Sequence, residues 1–182
     1  MADESRNIEI KAKVHDFEYF IRKSEEISGG KGTFIEQEDI FFNVPNGRLK
    51  LRFRDKNTDC GELIYYERPD QHGPKLSKFN RSNFGNSKDL QHLLALALGI
   101  KGVVRKKRLL YLTGQTRIHA DLVENLGSFM ELEVCLQTNQ TPEEGMRIAE
   151  SLMNLLGVSR SDLQPKAYID LLEEKFNSAI AC

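Results

Sequence analysis

The chain has 182 residues, 40% of them hydrophobic and 29% charged, which is enough apolar side chain for a core and rules out long disorder. Its 26 Lys and Arg nearly cancel 27 Asp and Glu, and the resulting net charge of −1 gives no reason to expect nucleic acid or an anionic membrane as partner. No run approaches the roughly 18 apolar residues of a membrane span. The acidic start MADESRNIEIK lacks the apolar region of a signal peptide. Cys60, Cys135 and Cys182 are too scattered for a CxxC pair or a disulfide framework, and the four histidines are too scattered for a structural zinc site, so a cytoplasmic protein is expected.

Residues 7–14 alternate, with Ile8, Ile10, Ala12 and Val14 against Asn7, Glu9, Lys11 and Lys13, which predicts a strand with one apolar face. Asp16 then reads as the N-cap of a helix of about three turns through Phe17, Phe20, Ile21 and Ile27, stopped by Gly29-Gly30. Strands follow at 33–44 and, after the turn Pro45-Asn46-Gly47, at Arg48 to Arg54, where Leu49, Leu51 and Phe53 oppose Arg48, Lys50, Arg52 and Arg54. A fourth strand runs from Glu62 to Arg68, and 69–74 is a loop. A short strand is expected at Leu76 to Arg81, and Ser87 is expected to cap a helix through Leu90, Leu93, Leu94 and Leu98. Three strands come next, at about 102–112, 115–123 and 129–137. Thr141-Pro142-Glu143-Glu144 opens a helix with a cap, a proline at N1 and acids in the first turn, and Pro165 is expected to open a last helix through Tyr168, Leu171 and Leu172. Nothing in the chain reads as a linker or repeat, so one domain over 1–182 is expected.

About eight strands joined by several short turns predict an α+β protein built on a largely antiparallel sheet or barrel. The polar faces carry rows of like charge: Arg48, Lys50, Arg52 and Arg54 on one strand, Lys106 and Arg108 on another, Glu131 and Glu133 on a third. Side chains two apart on a strand are about 7 Å apart on the same side. Carboxylates so placed can share a divalent cation, and a cationic row can follow a polyphosphate. Each row alone also suits a strand face turned to water. A closed barrel would turn them inward, against one another.

These residues resemble the CYTH domain family, the triphosphate tunnel metalloenzymes, which includes class IV adenylyl cyclases and thiamine triphosphatases. The family hallmark E-x-E-x-K is matched by Asn7-Ile8-Glu9-Ile10-Lys11. The likeness continues in order through Gln37-Glu38-Asp39, Gly47-Arg48-Leu49-Lys50-Leu51-Arg52, Tyr66-Glu67-Arg68-Pro69, Arg105-Lys106-Lys107-Arg108, Arg117-Ile118-His119-Ala120-Asp121, Phe129-Met130-Glu131-Leu132-Glu133 and Pro165-Lys166-Ala167-Tyr168, over about residues 6–175.

The resemblance implies an eight-stranded antiparallel barrel with flanking helices, open at both ends, that binds a triphosphate and Mg²⁺ or Mn²⁺ inside. It implies Glu9, Asp121, Glu131 and Glu133 as metal-facing acids, with Glu9, Lys11, Glu131 and Glu133 as the catalytic set. Lys11, Lys50, Arg52, Arg68, Lys106, Arg108, Arg117 and Lys166 would bind substrate, Lys166 near the start of a helix closing one mouth. His119 reads as a lining or supporting residue, and of Tyr65 and Tyr66 one faces the core. Two departures stand out: Asn7 replaces the first hallmark glutamate, and Glu67 stands near the proline where relatives often have lysine, so that register decides whether Arg68 turns inward.

The activity implied is metal-dependent hydrolysis of inorganic tripolyphosphate, thiamine triphosphate or a nucleoside triphosphate. The alternatives are a class IV adenylyl cyclase or a non-catalytic polyphosphate- or nucleotide-binding module. The partner expected is a triphosphate-containing small molecule, with neither nucleic acid nor membrane, and the protein is expected to be a monomer or homodimer.

Overall fold

The computed structural model describes residues 5–54 and 58–180. Eight strands, β1 (Ser5–Lys13), β2 (Thr33–Phe42), β3 (Arg48–Phe53), β4 (Gly61–Glu67), β5 (Lys75–Phe84), β6 (Ile100–Thr113), β7 (Thr116–Val123) and β8 (Gly127–Cys135), form a closed barrel in the order β1-β5-β4-β3-β2-β6-β7-β8. Every neighbouring pair is antiparallel. Four helices flank it: α1 (Phe17–Ser28), α2 (Ser87–Leu98), α3 (Pro142–Leu155) and α4 (Tyr168–Ile180). Among the described residues no helix is long and apolar enough to cross a membrane.

The barrel is built with its hydrophobic face outward. Strand side chains alternate between the two faces, and the alternation sends Ile8, Ile10 and Ala12 of β1, Ile118 and Ala120 of β7, and Met130, Leu132 and Val134 of β8 to the outer wall. There they pack under Phe20 of α1 and Ala149 and Met153 of α3. On the other side Ile40, Phe42, Leu51 and Phe53 are covered by Leu90, Leu94 and Leu98 of α2. The opposite face of the same strands is left to the charged residues. At full burial each of the larger apolar side chains among these contributes about 1.5–3 kcal/mol, so the helices hold the wall while the bore stays polar.

The helix starts follow local chemistry. Asp16 caps α1 by accepting from Tyr19 N, and Gly29 ends it in the left-handed region at φ 73°. Thr141 and Glu144 form a reciprocal capping box on α3. Gly145 in that helix lets it approach the wall, since a Cβ there would lie 2.5 Å from Leu136 and 2.7 Å from Ile8.

Several boundaries differ from expectation. Ser87 is the first residue of α2, not its cap. Its hydroxyl donates to Phe84 O, and the α2 start is served by Asp59, whose carboxylate accepts from Lys88 N at 2.7 Å. β5 is ten residues long and runs beyond the short strand expected at Leu76 to Arg81. Residues 55–57, between the third and fourth strands, and Cys182 lie outside the described residues. Pro165 does not open the last helix, which begins at Tyr168. The preceding segment is pinned to the barrel, where Gln164 N donates to Lys11 O at 2.8 Å and Leu163 bridges Ala12.

Candidate active site

The bore is lined by the inward half of every strand, including Asn7, Glu9 and Lys11, Gln37 and Asp39, Lys50 and Arg52, Tyr66 and Arg68, Lys106 and Arg108, Arg117 and His119, and Glu131 and Glu133. The cavity measures about 270 Å³, near the lower end of the roughly 300–1,000 Å³ of small-molecule sites. One end is covered. Ala167 and Tyr168 cover it, packed against Phe41, Val104 and Phe129, at the start of the helix expected to close one mouth. Arg54 and Arg81 stand at the opposite rim, more than half exposed and both paired with Glu62.

The register brings the cations and acids together. Lys11 lies opposite Glu131 and Glu9 opposite Glu133, while β7 sets His119 against Glu131 and Arg117 against Glu133. Lys11 Nζ is 2.7 Å from Glu131 Oε1 and 3.8 Å from the centroid of the Tyr168 ring. Arg108 grips Asp121 with two bonds of 2.6 and 2.5 Å and also donates to Glu131 Oε2. On the facing side Asp39 accepts from Lys50 at 3.0 Å and from Arg52 at 2.7 and 2.8 Å. The register also turns Arg68 inward, where it donates to Glu9 and to Pro165 O, while Glu67 turns out and accepts from Tyr65. Tyr66 is therefore the tyrosine that lines the bore.

Crowding of buried charge shifts the titrations. Burial alone would raise the Glu131 carboxyl, but Lys11 and then Arg108 outweigh it and hold the group well below the usual carboxylate range. Glu133 is held at about 2, its burial outweighed by His119, Arg117 and Arg108. Burial, reinforced by Arg108, pushes Lys106 down to about 7, and burial with Arg68 nearby pushes Lys75 down to about 8. Burial and Arg108 lower His119. At neutral pH the bore thus carries ionised Glu131 and Glu133, and burial makes Lys106 lose its proton far more readily than an ordinary lysine.

Of the residues singled out from sequence, Glu9, Lys11, Lys50, Arg52, Arg68, Lys106, Arg108, Arg117, Glu131 and Glu133 all line the bore. Asp121 is fully buried behind Arg108 and Tyr168. Lys166 is not brought to the bore. It is paired with Glu174 on the exposed side of the closing segment, and its neighbours Ala167 and Tyr168 take the inward positions. Sequence reasoning assigned no role to Asp39, although its alternation with Gln37 and Phe41 carried that signal. Lys75 was also missed. It is fully buried, and its ammonium donates to Gln71 O nearby and to Gln164 O and Pro165 O, the last two some ninety residues away, where no local pattern encodes them.

Four lining side chains keep a buried polar atom without a hydrogen-bond partner among the described residues: Asn7 Oδ1, Gln37 Oε1, Arg68 Nε and His119 Nδ1. Buried polar atoms are normally satisfied, so these are places where a ligand would be welcome. His119, Glu131 and Glu133 each offer one ligand atom, and the three atoms lie within 4.8 Å of one another, a donor set that fits a divalent cation.

The model of the CYTH domain matches residues 5–168. The chain is 27% identical to "Putative adenylate cyclase MJ0240" of Methanocaldococcus jannaschii over 90% of its own length and 97% of the relative's. The solved structure of the PH1012 protein from Pyrococcus horikoshii is similar at 31% identity, with a TM-score of 0.75 over 91% of this chain and 98% of that one. HpAC1 from Hippeastrum, described with a dominant triphosphatase activity, shares the fold at 16% identity, with a TM-score of 0.64 over 93% and 96% of the two chains.

Proposed function

The chain belongs to the CYTH domain family, and on that premise we propose that its bore binds a triphosphate-containing small molecule and hydrolyses a phosphoanhydride bond with the help of a divalent cation. The observation that carries this reading is the sharing of one bore by two charged clusters. Lys50, Arg52 and Lys106 gather on Asp39, while Glu131 and Glu133, held by Lys11, Arg108 and Arg117, line the same enclosed bore.

A triphosphate carries about four negative charges at neutral pH, and its hydrolysis needs placement and charge stabilisation rather than covalent help. Lys50, Arg52 and Lys106 are placed to take phosphate oxygens. Each is already held by Asp39, so little ordering remains to be done on binding. Lys11 stands between Glu131 and the Tyr168 ring, where its position is fixed at the covered end. Glu131 and Glu133 would hold Mg²⁺ or Mn²⁺, whereas Glu9 is turned to Arg68 and Asp121 to Arg108 and Tyr168. When bound, the cation supplies charge neutralisation on phosphate oxygens and a more acidic water.

In the reaction, water oxygen attacks the terminal phosphorus and the bridging P–O bond breaks. The water's proton leaves to a carboxylate or solvent, and the electron pair goes to the departing phosphate oxygen. Positioned cations are worth most at that developing charge, because the enclosed bore screens them weakly.

A second reading is cyclisation of ATP. It is favoured by the description of the Methanocaldococcus relative and by the apolar lining that Ile35, Phe79 and Leu110 add for a nucleoside. The experiment that separates the readings is incubation with tripolyphosphate, thiamine triphosphate or ATP, with Mg²⁺ or Mn²⁺, followed by ³¹P NMR. Orthophosphate release is the expected outcome. Pyrophosphate with cyclic AMP would establish the cyclase, and binding without turnover would make the protein a binding module.

A further inference from the structure

We propose that His119 is a nitrogen ligand of the divalent cation held by Glu131 and Glu133, so that the site prefers Mn²⁺ to Mg²⁺. The inference rests on the reading of the bore as a metal-dependent site and adds a donor to it. His119 stands on β7 in direct register with Glu131 of β8, its side chain turned into the bore and only 3% of the residue exposed. Its Nδ1 lies 3.8 Å from Glu131 Oε2 and 3.8 Å from Glu133 Oε1. Those separations are too long for hydrogen bonds, and Nδ1 has no other partner among the described residues. A buried imidazole nitrogen left without a partner costs about 1–3 kcal/mol, unless a ligand takes it.

The obvious competing account is an imidazolium shared between two carboxylates. The surroundings disfavour it. Arg108 donates to the same Glu131 oxygen and Arg117 holds the other oxygen of Glu133, so a further positive charge would sit among two guanidinium groups. A neutral imidazole is the form that ligates a metal. The carboxylates are themselves oriented. Lys11 fixes Glu131 through Oε1 and Arg117 fixes Glu133 through Oε2, which leaves Glu133 Oε1 turned toward His119. Such outer contacts set the direction of ligand atoms. An all-oxygen site suits Mg²⁺ and Mn²⁺ about equally in kind, whereas imidazole nitrogen shifts preference along the series toward the transition metals.

The test is Mn²⁺ titration of the full chain followed by electron paramagnetic resonance, with electron spin echo modulation of the bound ion. The expected result is ¹⁴N modulation in the wild type and its loss in His119→Gln. The Mn²⁺ affinity of the variant should fall by about 10–100-fold, the range over which changes around a metal act, while its Mg²⁺ affinity falls less. If the variant does not fold, the wild-type spectrum decides alone. Bound Mn²⁺ without nitrogen modulation overturns the His119 assignment and leaves the metal-dependent triphosphatase reading standing. No Mn²⁺ binding, with or without tripolyphosphate, together with no turnover in any metal, overturns both.

Discussion

Tyr168 donates its hydroxyl to Asp121 Oδ2 across 2.9 Å, which ties the first residue of α4 to the inner wall of β7. The same ring carries Lys11 Nζ on its face and is itself 5% exposed. One side chain therefore covers the end of the bore, satisfies a buried acid and supports a cation. Gly102 of β6 makes room for this helix, since a Cβ there would lie 2.6 Å from Ile169 Cδ1.

Tyr168→Phe keeps the ring and removes one hydrogen bond to an ionised carboxylate. Urea denaturation should show a loss of about 1.5–3 kcal/mol. Unchanged stability would mean that the bond to Asp121 does not hold α4 in place.

Glu131→Gln retains shape but deprives Lys11 and Arg108 of their shared counterion. Metal-dependent turnover should fall at least about 100-fold, a loss on the scale of deleting one preorganised electrostatic group, with the circular dichroism spectrum unchanged. A wild-type rate would remove the Glu131–Glu133 pair from the mechanism.

Most of the barrel and much of this site were legible in the sequence because both depend on period-2 alternation. In β1, β3 and β8 the pattern separated Glu9, Lys50, Arg52 and Glu131 from the apolar wall correctly. It was silent where position depends on distant chain. β5 continues through Asn80-Arg81-Ser82-Asn83, which shows no apolar alternation, because those residues are paired along β4. The α2 start rests on Asp59, twenty-nine residues before its bond partner Lys88. Lys166 was expected in the bore only through the resemblance of Pro165-Lys166-Ala167-Tyr168, yet Gln164 and Leu163 pin the segment to β1 and Ala167 and Tyr168 take the inward positions instead.

Arg52→Ala should act mainly on binding. Arg52 reaches the bore from a two-bond grip on Asp39, and Lys50 remains to neutralise that acid. Steady-state kinetics should show KM raised about tenfold or more with kcat changed much less, the signature of lost uniform binding. An unchanged KM would place the substrate elsewhere.

Binding should be coupled to protonation through Lys106, whose titration lies at about 7 because of burial and then Arg108. An arriving polyanion favours the charged amine and raises that value. Above pH 7 the free protein holds Lys106 largely neutral, so the complex must take up as much as about one proton. Affinity should then weaken by up to about tenfold per pH unit as pH rises from 7 toward the usual lysine range near 10.4. Calorimetry at pH 8 in buffers of different ionisation enthalpy measures the uptake, and Lys106→Met should abolish it. Proton release on binding would contradict this assignment.

The most direct measurement is a crystal structure of the protein grown with a non-hydrolysable imido analogue of tripolyphosphate and Mn²⁺. The account predicts the analogue inside the bore, its phosphates on Lys50, Arg52 and Lys106 and the ion on the Glu131–Glu133 side. Density for the analogue on the outer wall, or an undisturbed bore at saturating analogue, would contradict it.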